Sequence, residues 1–252
     1  MIESPKNELL KVIRRLKRLK GDLAVLEGPH LVAAALAAGT PLETVLVTPE
    51  FAASGESELL DRLPLEAQRV SSKALRSVTD SDTPRGLLAI ARLPRGGAES
   101  LPLRRDGVYV YVAGIQDPGN LGAVARAAEA TRTDGLALGP GSVHPNHPRA
   151  LRASAGSLLR LPVAMNVSVE AVRERLGPLS PSWLALSAHG EVDLFAAALV
   201  PPLVLVVGAE RGLTTELEAG CDARLRIGTA EPVESLNTAV AAALALFEIR
   251  RR

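Results

Sequence analysis

The feature that most constrains the fold is the alternation of strand and helix patterns in residues 103–252. Short apolar runs such as 108–115 and 203–207 have the length and β-branched content of strands, and alanine-rich stretches with helical spacing separate them. Strands that alternate with helices form a parallel sheet covered on both faces. The almost wholly apolar run 203–207 is typical of a central strand in such a sheet. The sequence therefore predicts an α/β fold for this part of the chain.

The N-terminal part has its own, shorter alternation of helix and strand patterns, which ends near residue 93. Residues 94–102 interrupt every periodicity with proline and glycine, so this stretch is the best candidate for a linker. We therefore predict a small α/β domain at residues 1–93 and a larger α/β domain at 103–252. The chain of 252 residues is long enough for two domains.

The composition excludes several classes of protein. An apolar content of 47% can build a packed core, which argues against disorder. Cys221 is the single cysteine, so no internal disulfide can form, and we expect a reducing compartment, the cytoplasm. The first residues are charged, which argues against a secretory signal. No apolar stretch is long and uninterrupted enough to cross a bilayer, so no membrane association is expected.

Positive charge is concentrated near the N-terminus, although the net charge of the chain is only +1. Seven Lys and Arg residues lie between Lys6 and Lys20, opposed only by Glu8, and apolar residues recur among them at helical spacing. The pattern predicts a helix with an apolar seam and a basic outer surface. Taken alone, that surface is either a solvated helix face or a surface that binds nucleic-acid phosphates.

The last predicted helix, at about 235–250, has almost no polar face. A helix that is apolar on all sides must be covered on most of them, and one sheet covers only one side. The helix is therefore either central in the monomer or part of an interface with a second copy of the chain, and we expect the dimer.

Several familiar chemical motifs are missing from the chain. There is neither a Gly-x-Gly-x-x-Gly after a strand nor a Gly-Lys-Ser/Thr phosphate loop, which argues against a dinucleotide-dependent oxidoreductase. His144 and His147 are not accompanied by a cluster of cysteines or carboxylates, so no metal site is expected. Ser154 lacks the Gly-x-Ser-x-Gly elbow of a hydrolase.

Three loops that follow predicted strands hold the polar residues that remain, at residues 117–126, 208–212 and 233–237. Together they resemble the three sequence motifs of the SpoU–TrmH family of RNA ribose 2′-O-methyltransferases, in the SPOUT superfamily. The stretch 150–156 also resembles that family. Each motif alone is weakly specific, but all of them in order along the whole chain are strongly specific.

The resemblance implies roles for individual residues of these motifs. The implied catalytic residues are Arg126, Asn120, Glu210, Ser235 and Asn237. The implied cofactor-binding residues are Gly208, Ile227 and Leu236. Ser235 is also a good helix N-cap by residue type, and that structural role is an alternative for it.

The N-terminal part is similar to the small α/β substrate-binding domain that precedes the catalytic domain in many family members. The resemblance is carried by residues 6–7, 26–28 and 83–86 together with the basic helix. It favours phosphate contact as the role of that helix. The implied RNA-binding residues are Lys6, Arg14, Lys17, Arg18, Arg85 and Arg152.

The family resemblance also implies a fold, a cofactor and partners. The catalytic domain is expected to be an α/β knot, in which the C-terminal segment threads through a loop to make a trefoil knot. The knot is expected to hold S-adenosyl-L-methionine, which becomes S-adenosyl-L-homocysteine, without any metal. The expected partners are structured RNA and a second copy of the chain. The two-domain layout favours ribosomal RNA over transfer RNA by family analogy.

The role of Arg126 is open to two interpretations. Methyl transfer to a ribose hydroxyl requires the protein mainly to align the reacting atoms. The family proposal makes the arginine of the first motif the base, but a guanidinium is effectively never neutral in proteins. We therefore expect Arg126 to remain a cation that binds a phosphate and stabilises the oxyanion as it forms.

One segment departs from the family pattern. Family members usually have Ile-Pro-Met before the third motif, whereas this chain has Ile227 followed by Gly228 and Thr229. This departure leaves an alternative function, an RNA-binding or ribosome-assembly protein whose methyl-transfer site has decayed. The intact motif residues favour the enzyme.

Overall fold

A computed structural model of the protein describes residues 1–18, 21–209 and 212–252. The chain forms two compact units. The first comprises Met1–Pro94 and Pro145–Arg160, and the second comprises Arg95–His144 and Leu161–Arg252. No helix in the described part of the chain is long and apolar enough to span a membrane.

The first unit is built on a mixed sheet of four strands in the order β1-β4-β2-β3. Strand β4 is antiparallel to both of its neighbours, and β3 is parallel to β2. The strands are β1 (Leu23–Glu27), β2 (Leu42–Val47), β3 (Gln68–Arg69) and β4 (Leu87–Arg92). The helices that precede β4 are α1 (Glu8–Leu16), α2 (Pro29–Ala37), α3 (Pro49–Ala52) and α4 (Ser72–Arg76), with a 3₁₀ turn at Ser57–Arg62.

Helix α1 is the amphipathic helix predicted from the sequence. Asn7 caps it by accepting a 2.9 Å hydrogen bond from the N–H of Leu9. Leu10 and Ile13 are fully buried in the core of the first unit, together with Val25 and other strand residues. The apolar seam therefore docks the helix on the sheet, and several of its basic residues lie on the outer side.

Residues 145–160 lie between two strands of the second unit in the sequence but pack into the first unit. The sequence predicts one helix at about 149–159, and this is wrong. The structure has two short helices, α6 (Pro148–Ala153) and α7 (Ser157–Arg160). The break lies at Ala155 and Gly156, which have φ angles of 48° and 89°, and a left-handed residue ends a right-handed helix.

The second unit is built on seven parallel strands in the order β7-β6-β5-β10-β8-β11-β9. The expected parallel α/β fold is confirmed, with β10 in the middle of the sheet and buried along its whole length. The strands are β5 (Val108–Ala113), β6 (Gly135–Leu138), β7 (Val163–Met165), β8 (Ser182–Leu186), β9 (Val192–Asp193), β10 (Leu203–Gly208) and β11 (Ala223–Arg226). The helices are α5 (Pro118–Ala130), α8 (Val169–Leu176), α9 (Thr215–Ala219) and α10 (Thr238–Arg251), with 3₁₀ turns at Ala98–Ser100 and Gly177–Leu179.

Residues 94–102, the predicted linker, are mostly packed into the second unit. Gly96 forms a parallel bridge with Ala164, next to β7. Leu101 is fully buried in the core, and the guanidinium of Arg175 donates hydrogen bonds of 2.8 and 3.0 Å to its carbonyl oxygen. The proline and glycine residues break the periodicity, but the one large apolar side chain anchors the segment.

The last helix, α10, has two different apolar sides. Ala242, Ala245 and Leu246 are buried, and the helix packs against α5. Val240 and Phe247 are 50% and 56% exposed. The first side is covered within the chain, whereas the second side faces solvent in the single chain.

Candidate active site

Three neighbouring strands of the second unit end at the same edge of the sheet. Strands β10, β8 and β11 are adjacent and parallel, so the loops after Gly208, Leu186 and Arg226 meet there. Such carboxyl ends are where α/β proteins bind ligands. The loops enclose a cavity of about 670 Å³, which is within the usual range for a small-molecule site.

The three residues expected to bind the cofactor all line this cavity. Gly208 lies at the end of β10, Ile227 directly after β11, and Leu236 shortly before α10. Ser235 lines the same cavity. The structure thus brings together residues from two of the three sequence motifs.

Gly208 is required by a sharp turn of the chain. The loop folds back on itself, with Ala209 and Gly212 paired and a 2.9 Å hydrogen bond from the N–H of Gly212 to the carbonyl of Ala209. A Cβ atom at residue 208 would lie only 2.4 Å from the carbonyl carbon of Gly212 and 2.8 Å from the backbone nitrogen of Leu213. Only glycine therefore fits there. Glu210, the motif residue expected in this loop, lies outside the described residues.

The loop before α10 contains the segment that departs from the family pattern. Its Thr229 hydroxyl donates a 2.7 Å hydrogen bond to the carbonyl of Val233, and Gly228 and Thr229 both line the cavity. The altered residues are therefore held by a bond within the loop.

Asn237, not Ser235, caps the last helix. The Asn237 Oδ1 atom accepts hydrogen bonds from the N–H groups of Ala239 and Val240, at 2.9 and 3.3 Å. The prediction that the helix begins at Ser235 is wrong: it begins at Thr238, and Ser235 is an exposed loop residue at the cavity. Ser235 is thus free of a capping role.

The two motif asparagines are in contact. Asn237 Nδ2 donates a 3.0 Å hydrogen bond to Asn120 Oδ1. Asn120 lies in the first turn of α5, which Asp117 caps by accepting a 2.8 Å bond from the Asn120 N–H. Because α5 and α10 pack together, the first and third motifs meet at the N-terminal ends of these helices.

Arg126 lies farther along α5, and its side chain is exposed. It is not among the described residues that line the cavity. The structure therefore places Arg126 on a helix that carries a motif asparagine, but not in the cavity of the single chain.

The structure reveals polar cavity residues that sequence patterns do not indicate. His189 lies after β8, Glu218 on α9 and Arg226 at the end of β11, and all three line the cavity. Gly190 fixes the loop of His189, because a Cβ atom there would lie 2.6 Å from the carbonyl oxygen of Arg224. None of these residues belongs to a motif, and only for His189 and Arg226 could a position near the end of a predicted strand have suggested the site.

Cys221, on the loop after α9, is an inert packing residue. Its thiol is half-buried against the core of the second unit and donates to the carbonyl of Leu217 at 3.3 Å. Burial, together with the nearby carboxylates of Asp222 and Glu218, raises the pKa of the thiol to about 11. The thiolate that nucleophilic chemistry needs is therefore scarce at neutral pH.

Among the residues expected to bind RNA, Lys6 and Arg18 have exposed side chains on the first unit. Neither side chain forms a hydrogen bond or ion pair with another described residue. Arg85 is also exposed but forms an ion pair with Glu56.

Lys17 and Arg152 are engaged inside the first unit. Both hold the carboxylate of Glu27, whose side chain is 3% exposed, with a nitrogen–oxygen distance of 2.8 Å in each case. The N–H of Asp80 donates to both oxygens of Glu27, and the carboxylate of Asp80 also pairs with Lys17. These basic side chains neutralise a buried acid, which limits their access to RNA.

The guanidinium of Arg14 is also hydrogen-bonded within the first unit. It donates a 2.7 Å hydrogen bond to the carbonyl of Pro5 and a 2.9 Å bond to the hydroxyl of Ser77. The sequence pattern alone could not distinguish Arg14, Lys17 and Arg152 from Lys6 and Arg18. The first three have bonding partners in other segments of the first unit, such as Ser77 for Arg14 and Glu27 for Arg152.

No cluster of metal-binding side chains accompanies the cavity. Within residues 1–18, 21–209 and 212–252, no group of three or more His, Cys, Asp or Glu side chains is placed to hold a metal ion.

Comparison with known families and relatives agrees with this arrangement. The profile of the SpoU rRNA Methylase family matches residues 107–247, and that of the MRM3-like substrate binding domain matches residues 7–89. A relative from Bacillus subtilis, 23S rRNA (guanosine(2553)-2'-O)-methyltransferase RlmP, is 30% identical, with 99% of this chain and 98% of the relative covered.

Solved structures show the same likeness across both units. The AdoMet complex of the SpoU methyltransferase AviRb from Streptomyces viridochromogenes has a TM-score of 0.90, 25% identity and 98% coverage of each chain. An AdoMet-bound rRNA methyltransferase from Sinorhizobium meliloti has a TM-score of 0.86 and 27% identity, with 99% of this chain and 97% of that chain covered. The likeness to SpoU methyltransferases confirms the expected α/β-knot fold class. The family profile covers more than half of the chain, and this protein therefore belongs to the SpoU rRNA methylase family.

Proposed function

We propose that this protein is an S-adenosyl-L-methionine-dependent methyltransferase that modifies the ribose 2′-hydroxyl of ribosomal RNA. The observation that carries the proposal is that Gly208, Ile227 and Leu236 line one cavity although they are distant in the sequence. The Bacillus subtilis relative, named as a 23S rRNA 2′-O-methyltransferase, supports this substrate class.

The cavity suits a cofactor that combines an adenosine with a positively charged amino-acid part. Its walls include Gly208, Ala209 and Gly212, and the backbone can approach a ligand closely at Gly208 because this residue has no side chain. They also include the carboxylates of Glu218 and Glu234. Backbone groups of Gly208, Ile227 and Leu236 would hold the cofactor, which supplies an already activated methyl group when it is bound.

The remaining motif residues are proposed to position the RNA. Asn237 holds Asn120 by a hydrogen bond, so the two amides fix each other's orientation. Ser235 presents an exposed hydroxyl at the cavity, and Glu210 of the second sequence motif is proposed to help hold the substrate. Fixed polar groups of this kind align a nucleophile at little entropic cost.

Arg126 is proposed to act as a fixed cation that binds an RNA phosphate and stabilises the ribose oxyanion. The pH profile of Arg126→Lys tests this role. We expect the lysine variant to keep a small fraction of wild-type activity while the lysine is protonated and to lose it as the lysine becomes neutral at high pH, because a positive charge is what the reaction needs. Full recovery as the lysine loses its proton would instead identify residue 126 as the base.

We propose that the protein works as a homodimer through the exposed side of α10. Val240, Leu244 and Phe247 recur at helical spacing and are at least 40% exposed, and a contiguous apolar face of this kind marks an interaction site. Arg126 lies on the packed neighbour of this helix, so a dimer would place the arginine near the interface. Sedimentation of the wild-type protein and of Leu244→Glu tests this, with dimer and monomer as the expected results.

The N-terminal domain, residues 1–93, is proposed to bind structured RNA, and residues 103–252 are proposed to carry out the methyl transfer in the cytoplasm. Lys6, Arg18 and Arg85 are the basic residues with exposed side chains that support RNA contact.

Mapping of 2′-O-methyl sites in RNA from cells with and without the gene tests the proposed reaction. We expect one ribosomal RNA nucleotide to lose its methyl group when the protein is absent and to regain it with the wild-type chain but not with Arg126→Ala. A methyl site lost from transfer RNA would correct the substrate. Loss of no site would refute the activity.

A further inference from the structure

Glu218 is a charged residue that lines the proposed cofactor cavity and belongs to none of the three sequence motifs. It lies on the short helix α9, directly after the turn of Gly208, and lines the cavity with an 18% exposed side chain. Glu216, two residues earlier on the same helix, is exposed and is not among the described residues that line the cavity. The position of Glu218, and not merely its acidic type, therefore places its charge at the cavity.

The charge of Glu218 is only partly compensated by its surroundings. Its ion-pair partner is Arg224, whose Nη1 atom lies 3.9 Å from Glu218 Oε2. Arg224 forms a closer ion pair with Glu191, including a 3.0 Å bond from Nε to Oε2. One guanidinium is thus shared between two carboxylates, so a negative charge remains.

The other charged residues of the cavity do not remove this charge. Arg226 and Glu234 line it with opposite charges and are both exposed, so water and salt screen them strongly. Of the lining residues that the structure describes, His189 is the remaining titratable side chain, and it is also exposed. Among the described charged residues of the cavity, Glu218 is therefore the one whose charge is screened least.

We infer that Glu218 is a specificity-determining residue that makes this cavity prefer the cationic cofactor, S-adenosyl-L-methionine, to its neutral sulfide product, S-adenosyl-L-homocysteine. This inference rests on the proposed function. The two molecules share the adenosine, the ammonium and the carboxylate, and differ by one methyl group and the positive charge on sulfur. A fixed negative charge is attracted to that charge at a distance, without direct contact. The product loses this attraction, which favours its release.

Calorimetric titration with both molecules tests the inference on the full-length protein. Wild type, Glu218→Gln and the matched control Glu216→Gln are each titrated with S-adenosyl-L-methionine and with S-adenosyl-L-homocysteine. For Glu218→Gln we expect a Kd for S-adenosyl-L-methionine that is raised about fivefold and a Kd for the product within about twofold of wild type, as for a partly screened pair of charges. Glu216→Gln should leave both constants unchanged.

Two other results would overturn the inference. If Glu218→Gln weakens the binding of both molecules equally, Glu218 contacts a group that they share. If it changes neither affinity, the Glu218 carboxylate interacts only with Arg224. If wild type binds neither molecule, the proposed cofactor site itself fails, which is a separate result. A further check needs no variant. In wild type, the ratio of the Kd for S-adenosyl-L-homocysteine to the Kd for S-adenosyl-L-methionine should fall toward one as salt screens the charge. A ratio that does not change with salt contradicts the inference.

Discussion

Asn237 connects the first and third sequence motifs with one side chain. Its Nδ2 atom donates a 3.0 Å hydrogen bond to Asn120 Oδ1, and its Oδ1 atom accepts from the N–H groups of Ala239 and Val240 at the start of α10. The residue therefore has a structural role as helix cap and a positioning role toward Asn120. Substitutions can separate the two roles.

Asn237→Asp is predicted to keep the cap and lose the present bond to Asn120 Oδ1, because a carboxylate accepts hydrogen bonds but cannot donate. Asn120 can bond to the carboxylate only by turning its amide over, which moves its oxygen from the present position. We expect an unfolding free energy close to wild type and a methylation rate at least about tenfold lower, the usual effect of a lost positioning contact. Asn237→Ala loses both bonds and should also cost about 1 kcal/mol of stability. Urea unfolding and a methylation assay measure the two effects. Full activity of Asn237→Asp would mean that the contact with Asn120 is dispensable.

Gly208→Ala is predicted to weaken cofactor binding. The new Cβ atom would lie 2.4 Å from the carbonyl carbon of Gly212, so the turn that lines the cavity has to move. Calorimetry should show a Kd for S-adenosyl-L-methionine raised by at least about tenfold, as expected when a binding loop is displaced. Gly177→Ala is the control, because a Cβ there has no atom within 4 Å. Wild-type affinity in Gly208→Ala would show that this turn does not contact the cofactor.

Glu27→Gln is predicted to destabilise the first unit. The substitution leaves Lys17 and Arg152 with a neutral partner where each now has a carboxylate at 2.8 Å, and breaking a buried ion pair costs about 3 kcal/mol. Glu8→Gln is the exposed control, since its pair with Lys11 is solvated and such pairs contribute about 0.5 kcal/mol. Urea denaturation compares the two variants. Equal stability of both would show that the ionic cluster does not hold the unit together.

The double variant Lys6→Ala, Arg18→Ala is predicted to weaken RNA binding without changing stability, because both side chains are exposed on the first unit. Each lost phosphate contact should lower the slope of log K against log salt by about 0.7–0.9. Filter binding at several salt concentrations measures the slope. Lys73→Ala, which removes an exposed lysine of α4 that is not among the expected RNA-binding residues, is expected to bind as wild type does. An unchanged slope in the double variant would place the RNA on another surface.

Cys221 is predicted to react slowly with thiol reagents in the folded protein. Burial raises the pKa of its thiol to about 11, so the thiolate becomes abundant only as the pH rises toward that value. At pH 8 the reaction with iodoacetamide should be about a hundredfold slower than after unfolding in urea, in proportion to the thiolate fraction. Equal rates in the folded and unfolded states would contradict the burial of this side chain.

The sequence predicts the parts of this fold that follow from local pattern. Each of three features can be recognised from the residue pattern within one segment. They are the alternation of strands and helices, the central strand at 203–207 and the amphipathic helix α1. The cavity position of Gly208, Ile227 and Leu236 follows from the family resemblance. These features depend on short segments, so the local sequence is sufficient to predict them.

The features that sequence reasoning misses depend on contacts between distant segments. The break at Gly156 fits its packing, because a Cβ atom there would lie 2.8 Å from that of Ala34. Lys17 and Arg152 meet at Glu27 although 135 positions separate them, and no local pattern encodes such a pair. Glu218 escapes notice for the same reason, since its cavity position depends on the loops that three strands bring together.

A crystal structure of the protein with S-adenosyl-L-homocysteine bound tests most directly whether the cavity is the cofactor site. We expect electron density for the adenosyl group inside the cavity, in contact with the backbone of Gly208, Ile227 and Leu236. Density for the molecule at any other place in the second unit, with this cavity empty, would contradict it.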